Sequence, residues 1–265
     1  MTDARTNSQE CVTLLLVDIQ KDFHPGGSLA IPTADQDAHR IAQLIHNHSS
    51  KITRVVATMD SHVKLHIANP GFWVSGTDGV THPDPFTIIE SKDVMEGKWK
   101  PRTDLNIPEG TLDESIFGSL KNLTKEDGSL DLWKYAIEYT KRLEERSTLV
   151  AEGVFVVMTT DLAFPHASSI HYYCAGKLKV CIWPEHCLIG SSGHCMVDEV
   201  HNALQEWSAK TGGTVEWVLK GQNLLTESYS ALVGYFVALV FWQHIFESLC
   251  PNLIYAPFHM TYPGG

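Results

Sequence analysis

Apolar residues along this chain recur in short blocks, and three of these blocks end on a charged side chain. Thr13-Leu14-Leu15-Leu16-Val17 runs into Asp18, Val55-Val56-Ala57-Thr58-Met59 into Asp60, and Val215-Glu216-Trp217-Val218-Leu219 into Lys220. Blocks of this length read as strands over 13–18, 55–59 and 215–219, with a shorter strand over 179–183. Helical spacing appears between them. Ile41, Leu44 and Ile45 mark a helix over 35–49, Leu132, Ala136, Tyr139 and Leu143 one over 131–146, and Val197, Val200, Leu204 and Trp207 one over 194–208. Strands alternating with helices predict an α/β fold in which all four strands share one parallel sheet with helices packed on its faces.

Three stretches do not follow either period. Residues 67–110 are rich in Pro, Gly and Asp and read as a long irregular excursion, a kind of loop that is often functional in compact domains. Residues 147–175 follow no sustained pattern. Residues 233–246 are apolar on every side but fall short of the roughly 20 residues that span a bilayer, so a buried helix or strand is expected there. The tail over 250–265, with Pro251, Pro257 and Pro263, has no regular pattern.

Composition narrows the class of protein. Hydrophobic residues make up 43% and charged residues 19%, ordinary values for a soluble globular chain. Asp and Glu outnumber Lys and Arg by 31 to 20, a formal charge of −11 that disfavours nucleic acid as a partner. The six cysteines form no CxxC pair, which suits a reducing compartment. Residues 1–10 are polar and lack the apolar core of a signal peptide. The expectation is a cytoplasmic protein with neither nucleic acid nor membrane as partner.

In an open parallel sheet the carboxyl ends of the strands share one edge, where ligands bind. Asp18, Asp60, His62 and Lys220 would therefore converge although they lie far apart in sequence. Asp60-Ser61-His62, with His66 beyond, offers a carboxylate and imidazoles, a donor set that suits zinc and also iron or manganese. With 14 histidines in the chain, an ordinary polar loop is the competing reading. Trp183-Pro184-Glu185-His186-Cys187 ends the short strand at a proline and would carry His186 to the same edge. The alternative for His186 is a loop histidine bonded to backbone, and Cys187 reads as a small packing residue. Asp18 could be a cap, an ion-pair partner or a general base, and Lys220 a surface lysine or the partner of Asp18 that stabilises a thiolate or oxyanion.

Four segments in one order make a specific resemblance. Leu16-Val17-Asp18-Ile19-Gln20-Lys21-Asp22-Phe23 with Pro25-Gly26-Gly27-Ser28, Thr58-Met59-Asp60-Ser61-His62 with His66, Trp183-Pro184-Glu185-His186-Cys187, and Lys220-Gly221 with Glu227-Ser228-Tyr229-Ser230-Ala231 resemble the nicotinamidase branch of the isochorismatase-like cysteine hydrolases. The resemblance implies a three-layer αβα fold with a mostly parallel sheet, incomplete at the C-terminus. It implies a hydrolase domain over 12–232 with a long insertion over 67–178, followed by an atypical tail over 233–265. It implies Asp18 as the base that takes the thiol proton and Lys220 as the group that stabilises the thiolate and orients substrate. Asp60, His62 and His186 would hold a divalent metal, zinc foremost, with His66 an extra ligand or hydrogen-bond partner. The reaction implied is conversion of nicotinamide, a small-molecule amide, to nicotinate and ammonia in NAD salvage. A homo-oligomer is compatible with this reading.

The family's nucleophilic cysteine follows the lysine segment, and here the pattern departs after Ala231. Cys250 is the only later cysteine, and Pro251 directly after it restricts its backbone away from the helical region. The sequence therefore predicts little or no hydrolysis of nicotinamide, and it reads one or both of 147–175 and 233–265 as the product of an alternative gene model. A catalytically dead metal- or ligand-binding homologue, and a related cysteine hydrolase acting on another small amide or on isochorismate, are the alternatives.

Overall fold

A computed structural model describes residues 12–108, 110–112, 120–150, 179–227 and 252–256. The first apolar block forms β1 (Val12–Val17) and is followed by α1 (Ala34–His48) and β2 (Ile52–Asp60). The excursion contributes β3 (Trp73–Ser75), β4 (Ile88–Ile89), α2 (Ser91–Met95) and β5 (Trp99–Pro101). Then come α3 (Leu132–Val150), β6 (Val180–Cys181), α4 (Asp198–Thr211), β7 (Val215–Lys220) and β8 (Asn252–Ala256).

The central sheet has the order β7-β2-β1-β8, and every pairing in it is parallel. Register sets the functional edge. Val17 lies opposite Thr58, and Asp60 lies opposite Lys220, so the three strands end together. Side chains alternate along a strand. Leu14 and Leu16 of β1 and Val55 and Ala57 of β2 meet Ile41 and Ile45 of α1 and Val200, Leu204 and Trp207 of α4 in one core. Among the described residues α1 and α4 therefore form one helical layer on this face. Leu15 and Val56, on the other face, are buried as well. The Trp207 indole N–H donates to the Ile52 carbonyl at 3.2 Å and ties α4 to the start of β2.

A second core forms away from the sheet. The stripe Tyr135, Ala136, Tyr139 and Leu143 of α3 packs against Phe72, Trp73, Ile89, Val94 and Ile182. The excursion is thus not irregular. β3 and β5 pair antiparallel, and α2 carries a capping box between Glu90 and Asp93. Its Pro and Gly residues mask elements too short to show a period.

Two further expectations are corrected. The segment 179–183 does not join the central sheet; β6 is two residues long and pairs antiparallel with β4, Ile88 opposite Cys181. Ile182 and Trp183 next to it donate their N–H groups to Thr87 and Ala68, which leaves this stretch committed to the excursion. The tail is not wholly without regular structure, since β8 adds to β1 with Leu253 opposite Thr13. Helix α4 also begins at Asp198 rather than near 194, because Gly193 and Cys195 give their carbonyls to Asp22 and Lys21 instead. Most of 147–175, the run 233–246 and Cys250 lie outside the described residues. Among the described residues no helix is long and apolar enough to cross a membrane.

Trp207 is 2% exposed and Trp217 is 45% exposed. Trp207→Ala should lower unfolding stability by about 3–5 kcal/mol in a urea titration, whereas Trp217→Ala should cost about 1 kcal/mol or less.

Candidate functional site

The site begins with two strands that end on carboxylates and one that ends on an ammonium. Asp18, one residue past β1, has φ of +53°, a left-handed conformation that Asp tolerates better than most residues. Thr58 of β2 holds it there. The Asp18 N–H donates to the Thr58 carbonyl at 3.2 Å and to Thr58 Oγ1 at 3.1 Å, while the Thr58 hydroxyl donates to Asp18 Oδ1 at 2.7 Å. Lys220 Nζ lies 3.0 Å from Asp18 Oδ2 and 2.8 Å from Asp60 Oδ1. Its side chain is 8% exposed, so this is a buried charge cluster rather than a surface pair.

The environment separates the two carboxyl groups. Burial pushes Asp60 up, but the Lys220 charge and the His186 and His62 rings beside it outweigh it and hold Asp60 well below the usual carboxylate range. Burial raises Asp18, and the Asp60 charge adds to the rise against the pull of Lys220. Burial alone would lower Lys220, yet the two carboxylates raise it above an ordinary lysine. Asp60 is therefore the permanent anion, and Asp18 is the carboxylate more ready to take a proton. Such a split is how neighbouring acids acquire different roles.

Beside the cluster, Asp60, His62 and His186 bring ligand atoms within 4.8 Å of one another, all three residues buried. Gln20 fixes the backbone of Asp60. Its Oε1 accepts the Asp60 N–H at 2.7 Å, and its Nε2 donates to the Asp60 carbonyl at 2.7 Å. A carbonyl can only accept, so the 3.2 Å contact of His62 Nδ1 with the Gly221 carbonyl puts the proton on Nδ1. The 2.8 Å contact of His186 Nδ1 with the Pro184 carbonyl does the same. Both Nε2 lone pairs then face the Asp60 carboxylate, at 3.2 Å and 3.5 Å. Lone pairs set against an anion repel unless a cation or proton lies between them. Asp60 Oδ1 is also buried without a hydrogen bond of good geometry. This donor set fits a divalent cation, with both imidazoles oriented by backbone carbonyls as metal-ligating histidines are.

Gly221 is part of the same construction. At φ of +77° a Cβ there would lie 2.7 Å from His62 Cε1, so a side chain at this position would displace the imidazole. His66 resolves as a hydrogen-bond partner. Its Nε2–H donates to the Thr226 carbonyl at 3.1 Å and its Nδ1 accepts the Ala68 N–H at 3.2 Å, while its ring lies 4.8 Å from that of His62. Burial pushes His66 down, which keeps it neutral. Glu227 is buried near it, Oε2 3.9 Å from Nδ1, and His62, His66 and Glu227 make a second close group of metal-capable atoms.

Among the described residues, the buried Cys181 and Cys187 are placed differently from a nucleophile. Cys187 is wholly buried, and burial, then the carboxylates of Asp60, Asp22 and Asp18, push its thiol up. Burial raises Cys181 to about 11. A nucleophilic cysteine needs the opposite shift. Gln20 and Thr58 are functional neighbours to which the sequence assigns no role; their signal is a place inside the resembling segments, two residues from Asp18 and Asp60.

No family profile matches the chain, and no curated protein does. Solved structures do. Yeast nicotinamidase Pnc1p bound to nicotinaldehyde matches at 17% identity with a TM-score of 0.41, covering 84% of this chain and 62% of that one. A nicotinamidase from Acinetobacter baumanii matches at 16% identity and a TM-score of 0.44, covering 91% and 67%. A zinc complex of Pyrococcus horikoshii pyrazinamidase matches at 27% identity and a TM-score of 0.22, covering 37% and 47%. The chain thus spans under two thirds of the length of the yeast enzyme in that comparison. The chemistry of the site rests on its own atoms.

Removing the ammonium leaves two carboxylates buried without a countercharge. Lys220→Met should cost about 3–5 kcal/mol in chemical denaturation. Adding Asp60→Asn to that variant should recover a large part of the loss.

Proposed function

We propose that this chain carries the site of a nicotinamidase-like amide hydrolase, with Asp60, His62 and His186 as ligands of a divalent metal, zinc foremost. The observation that carries the reading is the convergence of two backbone-anchored imidazoles on one carboxylate, joined through Lys220 to Asp18. When bound, the metal supplies a Lewis acid able to hold a ring nitrogen of a substrate such as nicotinamide. Asp18, raised by burial, accepts the proton of the attacking thiol. Lys220, always charged here, stabilises negative charge on sulfur or on the amide oxygen. Attack of the thiolate on the amide carbonyl releases ammonia, and water then cleaves the thioester to nicotinate.

A second reading is a metal- or ligand-binding homologue without turnover. It is favoured by the raised thiols of Cys181 and Cys187, since neither is suited to be the nucleophile. Cys250 lies outside the described residues. Ammonia release from nicotinamide, measured beside metal content, separates the two. Turnover lost in Cys250→Ser supports the hydrolase and identifies its nucleophile. Stoichiometric zinc without turnover supports the second reading, and absence of both zinc and turnover overturns the two together.

The metal assignment has its own measurement. His62→Ala should lose most bound zinc, whereas His48→Ala, on the exposed end of α1, should keep it. Equal retention in the two variants would refute Asp60, His62 and His186 as the ligands.

A further inference from the structure

Cys187 links the two histidines of the centre although its thiol takes no part. It follows His186 in the chain, and its carbonyl accepts the His62 N–H at 3.1 Å. Its φ is +46°, a left-handed backbone that a residue with a side chain keeps only when its surroundings hold it there. The group that holds it is Asp22. The Cys187 N–H donates to Asp22 Oδ2 at 2.6 Å.

Asp22 is itself fixed on several sides. Its Oδ1 accepts the Ser28 N–H at 3.2 Å and the Ser28 hydroxyl at 3.0 Å. Its backbone N–H donates to the Gly193 carbonyl at 3.1 Å, and its carbonyl accepts the Leu29 N–H at 2.9 Å. A Cβ on Gly193 would overlap the Asp22 carboxylate, so a residue without a side chain lets the 191–195 segment close over it. Phe23, the next residue, sets its ring edge-on to His186 with centroids 5.5 Å apart.

We infer that Asp22 is a positioning residue of the metal centre. By holding the amide of left-handed Cys187 it fixes the turn that carries His186 and the carbonyl that anchors the backbone of His62. The inference rests on the metal reading of Asp60, His62 and His186. Asp22 touches no ligand atom of that centre; it acts on the ligands through one strained residue.

The test is zinc affinity of the full chain, measured by competition with a chromophoric chelator. Asp22→Ala should weaken zinc binding about 10- to 100-fold, the range seen when an outer partner of a metal ligand is removed. Asp22→Asn should weaken it less, because the amide oxygen still accepts the Cys187 N–H without the charge, although its NH2 then donates to the Ser28 hydroxyl and loses the Ser28 N–H. Cys187→Gly added to Asp22→Ala should restore much of the affinity, since glycine adopts φ near +46° without being held. A general loosening of the loop would not be rescued this way. Ser28→Ala, which removes the hydroxyl but keeps the Ser28 N–H on Asp22 Oδ1, should weaken zinc binding less than Asp22→Ala does.

Wild-type affinity in Asp22→Ala overturns this inference alone, and so does a loss that Cys187→Gly fails to repair. Failure of the wild type itself to bind zinc overturns the metal reading and this inference with it. Circular dichroism checks that each variant is folded. Should Asp22→Ala not fold, Asp22→Asn with and without Cys187→Gly gives the same comparison: a loss that glycine removes supports the inference, and no loss overturns it.

Discussion

Because β1, β2 and β7 run the same way and end in register, two carboxylates and one ammonium meet where there is little water. A charge cluster of this kind is costly to bury and costly to break. It is tolerated because every member has partners: Thr58 and Lys220 for Asp18, Lys220 for Asp60, and both acids for Lys220. The metal-capable side chains are arranged around this cluster, not beside it by accident. Asp60 belongs to both. An ion bound there would share the Asp60 charge with Lys220, so charge placed on one side of the carboxylate is felt on the other.

The frame beneath this edge is simpler than the edge itself. One helical layer, built from α1 and α4, presses on the face that carries Leu14, Leu16, Val55 and Ala57. Trp207 spans the layer and bonds to the first residue of β2. The excursion and α3 have their own core, yet they reach the site through Tyr135, whose hydroxyl donates to the Leu225 carbonyl at 2.7 Å. The backbone around His66 is held by the neighbouring segment, since the Ile67 N–H donates to the Leu224 carbonyl. The second core thus supports the loop that passes behind the histidines.

Much of this was legible in the sequence for a physical reason. Asp18, Asp60 and Lys220 follow apolar runs long enough to show a strand, and parallel strand ends must share an edge. The helices with a clean stripe were legible too, with ends displaced by a few residues. What escaped was short or relational. β4 and β6 are two residues each and carry no period, and β8 is five residues inside a proline-rich tail. Gln20, Thr58 and Asp22 act through partners 40 or more positions away, a distance that local pattern does not encode. His66 was assigned two roles by the sequence, and only its hydrogen bonds to Thr226 and Ala68 distinguish them.

Gly221 touches no candidate ligand with a side chain, because it has none. The space a Cβ would fill is occupied by the His62 imidazole, and the Gly221 carbonyl accepts the Nδ1–H, which leaves the other nitrogen bare. A buried residue without a side chain therefore sets the tautomer of a buried ring. Any exchange at this position, even to alanine, leaves every candidate ligand in the sequence and would still behave as the loss of one.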